Sequence, residues 1–439
     1  MLDSKCLLCI RREDKNKWEK RTPLIPSHAI YLKNKYGVNI CVQSSKIRIF
    51  KDSEYRKNQI KLVNDIKQCS IILALKEIPL DLITENKIYL FFSHTTKGQP
   101  HNMLLLRKLK QLNCTLIDYE KITDQKGRRL IFFGIQAGQS GMIETLYALR
   151  QKLNEKDDKN PFYRLKQPFE YNSLDQAKEE IKKIGTRIEE KGLNTDLTPL
   201  VCGFSGYGNT AKGAQEIFDI LPHQEIKAQN LEAFINSQNY KNNRLYKVVF
   251  KEKDMVEPIN DTHKFRLQDY YKHPEKYQSK FSNYLPYLTI LVNCIYWEPK
   301  YPKLIRISDL KTLFNSNQKP HLKVIGDISF EINGSIECTK FSMTPDNPFY
   351  IYDPLSEKVN NESNGRGVAV MSIDNLPAEI PYESSVFFSK ALKPFIPGIV
   401  NADFSHDFDN CNLPEPVKKA VILYKGEFTA DYKYMEKFI

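Results

Sequence analysis

Short apolar runs alternate with helix-length amphipathic segments through the first third of the chain, and few folds tolerate that rhythm. Leu2–Ile10, Asn39–Gln43, Ser70–Leu75, Ile88–Phe92 and Thr115–Asp118 read as strands. Between them, Ser27–Lys35, a polar stretch at 53–66, a short segment at 79–87 and a Leu-rich run (Leu104, Leu105, Leu106, Leu109, Leu112) read as helices. Strand–helix alternation implies a parallel sheet covered by helices on both faces. A chain of 439 residues exceeds one ordinary core, so two domains are expected.

In such a sheet, reactive groups gather outside the carboxyl ends of the strands. Two of these runs end in or just before titratable residues, Lys76 and His94, eighteen residues apart. Lysine and histidine are readily tuned to exchange protons near neutral pH, so the pair is a candidate acid–base site. Two polar residues where buried strands surface are the ordinary alternative. Nearby loops carry Arg21, Arg128 and Arg129, whose forks suit carboxylates, though a surface ion pair is the commoner role. Glu120 is expected to pair with Lys76, and Leu130–Phe133 to form another strand.

A second α/β unit opens at Leu197–Cys202. Residues 201–214 read VCGFSGYGNTAKGA, with Gly203, Gly206 and Gly208 in the turn, Gly213 in the helix, and the helix placed at Ala211–Ile220. A strand, a glycine turn and a helix N-terminus together suit a pyrophosphate. Gly213 comes five residues after Gly208 rather than three, so a structural turn stays open. The residue for the ribose 2′-hydroxyl is expected near Gln224–Gln229, where there is no well-placed carboxylate and Lys227 stands instead, favouring NADP over NAD. Further strands are expected at Tyr287–Cys294 and Leu322–Ile328. Residues 154–173 read as a polar surface excursion, Asp175–Lys191 as an exposed helix, and 251–285 as a long loop. Small residues at 134–150 would let a long helix approach its neighbours closely. From 342 onward, Pro-rich loops and one helix, Tyr382–Leu392, are expected.

No apolar stretch approaches the roughly 20 residues of a membrane span, and no secretory leader is visible, so a cytoplasmic protein is expected, with a mitochondrial one also open. Nine dispersed cysteines argue for reduced thiols; Cys6 and Cys9 have zinc-like spacing but no second pair, so no metal is expected. The net charge of +12 is spread evenly and interleaved with acids, which speaks against nucleic acid and for a general attraction to anionic substrates.

Segments along the whole chain (IRREDKNKWEKRTPL, ALKE, FFSHTTKGQ, LIDYEKITDQKGRR, GYGNTAKGAQEIF, KHPEKY, NCIYWE, GDIS and SIDNLPAEIP) resemble the lysine–ketoglutarate reductase domain of aminoadipic semialdehyde synthase. That domain is the saccharopine-forming relative of alanine dehydrogenase and of lysine-forming saccharopine dehydrogenase. The resemblance implies an α/β protein with two Rossmann-like domains, parallel sheets and a cleft between them. Residues 1–133 with 342–439 would form the substrate domain and 134–341 the dinucleotide domain. It implies Lys76 and His94 as the acid–base pair, Arg21 and Arg129 as carboxylate ligands, and Gln99 and Phe133 as secondary substrate contacts. Gly206, Gly208 and Asp327 fall on the dinucleotide side. The implied reaction condenses L-lysine with 2-oxoglutarate and reduces the imine with NADPH. NAD-dependent lysine-forming saccharopine oxidation and a non-catalytic polyanion-binding protein are the alternatives. The chain ends at Ile439, before the fused dehydrogenase half of many relatives, so a separate saccharopine dehydrogenase partner or a homo-oligomer is expected.

Overall fold

Six parallel strands open the chain in the computed structural model, which describes residues 7–153, 160–260, 263–315, 320–360 and 365–439. They are β1 (Leu8–Ile10), β2 (Ile40–Gln43), β3 (Lys61–Val63), β4 (Ile71–Leu73), β5 (Ile88–Phe91) and β6 (Thr115–Asp118). β1 and β4 are buried apolar triplets, and β2 is a buried quartet whose first three residues are apolar and whose last is Gln43, as a sheet covered on both faces requires. Helices Pro26–Tyr36 and Pro100–Gln111 begin with proline at the first helical position, where a missing N–H costs nothing. The former ends at Gly37, whose φ of 65° forms the left-handed cap.

The expected helix at 53–66 is only Asp52–Lys57; Gln59 turns at φ 56° and the chain enters β3 as a half-exposed edge strand. Leu130–Phe133 is not a strand. Its phenylalanines instead pack on a helix from the far end of the chain, Phe132 on Phe387 and Phe133 stacked on Phe388 at 5.0 Å. The segment expected to be helical at 79–87 holds one 3-10 turn, Leu80–Leu82. Of the expected Leu2–Ile10 strand, residues 1–6, with Cys6, lie outside the described residues. Cys9 groups instead with Cys41 and Cys69, their sulfurs within 4.8 Å of one another in the core.

The second sheet comprises β7 (Val201–Ser205), β8 (His223–Glu225), β9 (Leu245–Phe250), β12 (Ile290–Asn293), β13 (Val324–Asp327), β14 (Phe349–Asp353), β15 (Lys358–Asn360) and β16 (Val368–Met371). A small hairpin of β10 (Val256–Pro258) and β11 (Tyr277–Ser279) stands apart within the segment expected to be a loop. Strand order is β15-β14-β16-β13-β12-β7-β9-β8, parallel except at β14 and β15. Helices Gly134–Lys152 and Asn209–Phe218 cover this sheet with their backbones in contact. A Cβ on Gly213 would lie 2.0 Å from the Ile135 carbonyl, and one on Gly138 2.0 Å from that of Thr210. The polar reading of 154–173 fails over its described part, since Phe162 and Leu165 are fully buried beside that long helix; residues 154–159 lie outside the described residues.

The long helix also carries a buried acid. Glu144 is fully buried and accepts from Gln167 Nε2 at 3.2 Å. It faces Glu379, buried in the 3-10 turn Leu376–Glu379, whose carboxyl oxygens make no hydrogen bond of ordinary geometry among the described residues. Burial pushes Glu144 up to about 7, and burial together with the Glu144 charge raises Glu379 well above the carboxylate range.

The chain divides into two compact units, 1–133 with 381–439 and 134–380. The return expected at 342 therefore falls at 381, because β14 and β16 extend the second sheet. After helix Pro381–Leu392, β17 (Val421–Tyr424) pairs antiparallel with β6 and β18 (Glu427–Phe428) closes the first sheet, giving the order β18-β17-β6-β5-β4-β1-β2-β3. No helix among the described residues is long and apolar enough to cross a membrane.

Candidate active site

In the first unit, the carboxyl ends of the neighbouring strands β1, β4, β5 and β6 deliver Glu13, Lys76, His94 and Asp118 side by side. Glu13, nearly fully buried, accepts from the backbone N–H of Leu75 at 2.7 Å and of Lys76 at 3.1 Å, which fixes the turn that presents the lysine. Burial and the charge of Glu19 push its carboxyl up to about 7. Burial also lowers the pKa of the Lys76 ammonium; the Arg21 guanidinium adds to that effect, while Glu19 and Glu77 oppose it. Among the described residues the ammonium has no hydrogen-bond or ion-pair partner.

His94 sits at φ 49°, a left-handed conformation uncommon outside glycine that costs on the order of 1 kcal/mol or more. Asn102 Nδ2 ties down its carbonyl at 3.0 Å. Its Nδ1 meets Glu77 Oε1 at 2.5 Å, and the ring lies parallel to Phe92 at 6.4 Å. Burial alone would raise the Glu77 carboxyl, but His94 and Lys15 (Nζ at 2.9 Å) hold it well below the usual range. A carboxylate on Nδ1 sets the tautomer and leaves Nε2 for proton exchange. Glu77, one residue beyond Lys76, thus couples the two strand ends. Sequence reasoning missed it, although it stands inside the ALKE motif.

The expected Glu120–Lys76 pair is not formed. Glu120 takes Arg129 Nη2 instead, with Arg129 about half exposed. Arg21 is buried: its Nε and Nη2 grip Glu19 at 2.8 and 2.6 Å, and its guanidinium lies 4.4 Å from the Phe133 ring centre. That edge of the fork is filled by Glu19. Gln99 is exposed at the start of helix Pro100–Gln111, with its carbonyl accepting from Asn102 N. Asp118 is wholly buried, accepting from Ser93 Oγ at 2.5 Å and from Glu120 N at 2.8 Å. Lys76, Glu77 and His94 are therefore brought together; among the described residues, Gln99, Glu120 and Arg129 join them through no hydrogen bond.

In the second unit the glycines separate by role. Gly203 lies within β7, where a Cβ would strike the Phe250 ring at 2.8 Å, so it serves sheet packing rather than a ligand. Gly206 turns at φ 94°. Gly208 precedes helix Asn209–Phe218, which among the described residues has no side-chain cap, and a Cβ there would meet none of them within 4 Å. Open space before uncapped N–H groups fits the pyrophosphate of a dinucleotide. Gly213 belongs to the helix contact described above. Asp327, at the end of β13, has both oxygens engaged internally, by Asn293 Nδ2 at 2.8 Å and Thr339 Oγ1 at 2.6 Å, and burial pushes it up to about 6. Ser205 Oγ donates to Asn293 Oδ1 at 2.8 Å, so one network ties the ends of β7, β12 and β13. Lys227 follows β8, which pairs only with β9 at the sheet edge. It is not beside the glycine-turn strand.

Residues 9–140 match the family model described as alanine dehydrogenase/PNT, N-terminal domain. The fold agrees: an L-alanine dehydrogenase superposes with a TM-score of 0.62, covering 98% of both chains at 13% identity. A transhydrogenase from Sinorhizobium meliloti gives 0.55 at 12% identity, over 96% of this chain and all of that one. The molecule is thus a two-unit α/β protein with the alanine dehydrogenase fold. At the level of sequence it is similar to proteins described as alpha-aminoadipic semialdehyde synthase. It is 36% identical to the Arabidopsis thaliana protein over 98% of this chain and 41% of that one, and 33% identical to the mitochondrial Mus musculus protein over 99% and 48%. The chain spans about half the length, or less, of these relatives. It is also 25% identical to the NAD(+), L-lysine-forming saccharopine dehydrogenase of Emericella nidulans, over 82% of this chain and 83% of that one.

Proposed function

We propose that the chain is a lysine–2-oxoglutarate reductase, joining the ε-amine of L-lysine to the keto carbon of 2-oxoglutarate and reducing the imine with NADPH to saccharopine. The observation that carries this reading is the Lys76–Glu77–His94 group on adjacent parallel strand ends. A lysine ammonium cannot attack a ketone until it loses a proton. His94 Nε2 accepts that proton while Glu77 steadies the ring through Nδ1, and the same nitrogen returns a proton to the carbinolamine hydroxyl as it leaves as water. The Lys76 ammonium, its pKa lowered by burial and the nearby Arg21, donates to the keto oxygen and draws charge from the carbon under attack. Arg21, held rigid by Glu19 and lying against Phe133, and Arg129 are the cations for substrate carboxylates, and Gln99 is a further substrate contact. Gly206, Gly208 and the helix after them would hold the dinucleotide, which supplies the hydride when bound.

A second reading, NAD-dependent oxidation of saccharopine, draws on Glu252, a carboxylate near the glycine turn of the type that binds a ribose 2′-hydroxyl. NADPH oxidation that requires both lysine and 2-oxoglutarate supports the first reading; strong preference for NAD with saccharopine supports the second. Within the first, His94→Asn should abolish reduction with little change in NADPH affinity, and near-normal turnover would remove His94 from its role. The free thiols suit a reducing compartment, the cytoplasm or the mitochondrial matrix.

A further inference from the structure

The residue that distinguishes NADP from NAD sits where the strand next to the glycine-turn strand ends. Counting along the sequence makes that strand β8 and the residue Lys227. The sheet is wired differently: β7 pairs with β9 along its whole length, Val201 opposite Tyr246 through Ser205 opposite Phe250, while β8 touches only the far side of β9. The end of β9 reaches the turn itself, with Gly206 N donating to Phe250 O at 3.0 Å.

Resting on the NADPH reading above, we propose that Lys251, the first residue beyond β9, binds the 2′-phosphate of the dinucleotide, and that Lys227 does not. Lys251 is exposed, and its Nζ lies 5.8 Å from the ring centre of Tyr207, a residue of the glycine turn. Its backbone is fixed by a bond from its N–H to Asp254 Oδ2 at 3.0 Å, so the side chain springs from an ordered position. Among the described residues the ammonium has no carboxylate partner. The neighbouring Glu252 could repel a phosphate, but its carboxylate is turned to two hydroxyls, accepting from Tyr271 at 2.7 Å and from Tyr207 at 3.2 Å. The acid that would read a ribose hydroxyl is engaged, and a cation stands at the strand end.

Binding of 2′,5′-ADP and of 5′-AMP to the full chain, followed by calorimetry, tests this without turnover. The wild type should bind 2′,5′-ADP more tightly. Lys251→Ala should weaken 2′,5′-ADP at least about tenfold and leave 5′-AMP unchanged, the size expected for one charge-assisted bond. Lys227→Ala should alter neither. Both side chains are exposed, so melting temperatures report that each variant is folded. Loss of 2′,5′-ADP affinity in Lys227→Ala with none in Lys251→Ala overturns the assignment while leaving the NADPH reading intact. A wild type that ignores the 2′-phosphate overturns both.

Discussion

Replacing Glu379 by glutamine should stabilise the second unit at alkaline pH. Glu144 and Glu379 are both buried, and each has a carboxyl pushed upward by burial, Glu144 to about 7 against an ordinary value of 4.5. A group whose folded pKa exceeds its unfolded one stabilises the fold fully below the unfolded value, and that contribution is lost as pH rises through the folded value. For Glu144 the difference, 7 minus 4.5, amounts to roughly 3 kcal/mol, most of it given up between about pH 4.5 and 7. Glu379 continues the loss at higher pH. Glu379→Gln removes one titration and supplies an amide that can donate to the Glu144 carboxylate. The variant should match the wild type within about 1 kcal/mol near pH 5 and exceed it at pH 8, by a margin that grows as pH rises. The assay can address this unit alone, since the chain has two tryptophans, Trp18 in the first unit and Trp297 in the second. In a Trp18→Phe background, urea unfolding followed by Trp297 fluorescence at several pH values gives both stability curves. Parallel curves, or a variant less stable at every pH, would refute the reasoning.

Two further substitutions probe the site and the frame. Glu77→Gln keeps the shape beside His94 but removes the charge, so turnover should fall about 10- to 100-fold with NADPH affinity unchanged. Because the Glu77 carboxyl is held well below its ordinary 4.5, its stabilisation, about 1–2 kcal/mol for a partly exposed charged bond, should persist at neutral pH and fade on acidification below that value; denaturant titrations at pH 7 and pH 3 measure it. Gly213→Ala should cost about 2–3 kcal/mol, despite alanine's better helix propensity, because its Cβ would collide with the Ile135 carbonyl; an unchanged urea midpoint would show that the two helices can part.

The buried parallel strands were legible because their apolar runs are continuous; β4 and β6 lie within a residue or two of their expected bounds. What escaped had weak local signals. β3 is a half-exposed edge strand with a lysine, and reads as the tail of a polar helix. β14 is FYIYD, flanked by prolines and loops, and β17 is VILY in a tail that otherwise looks irregular. Within the site, Lys76 and His94 were visible as strand ends. Their link through Glu77, and the choice of Glu120 for Arg129, depend on side-chain directions that no spacing encodes. The position of Lys251 depends on strand order, since two strands adjacent in sequence need not be adjacent in a sheet.

The late return of the chain at 381 bears on how the protein is made. β6 needs β17 at its open edge, yet about 300 residues separate Asp118 from Val421. At roughly 5–20 residues per second, a ribosome leaves that buried apolar edge without its mate for about 15–60 s. The second unit, contiguous in sequence, can close in the interval, whereas the first emerges early and is completed last. An unpaired apolar strand is a template for the wrong neighbour. Synthesis therefore exposes the sheet that carries Lys76 and His94 to misassociation for as long as β6 waits for its mate.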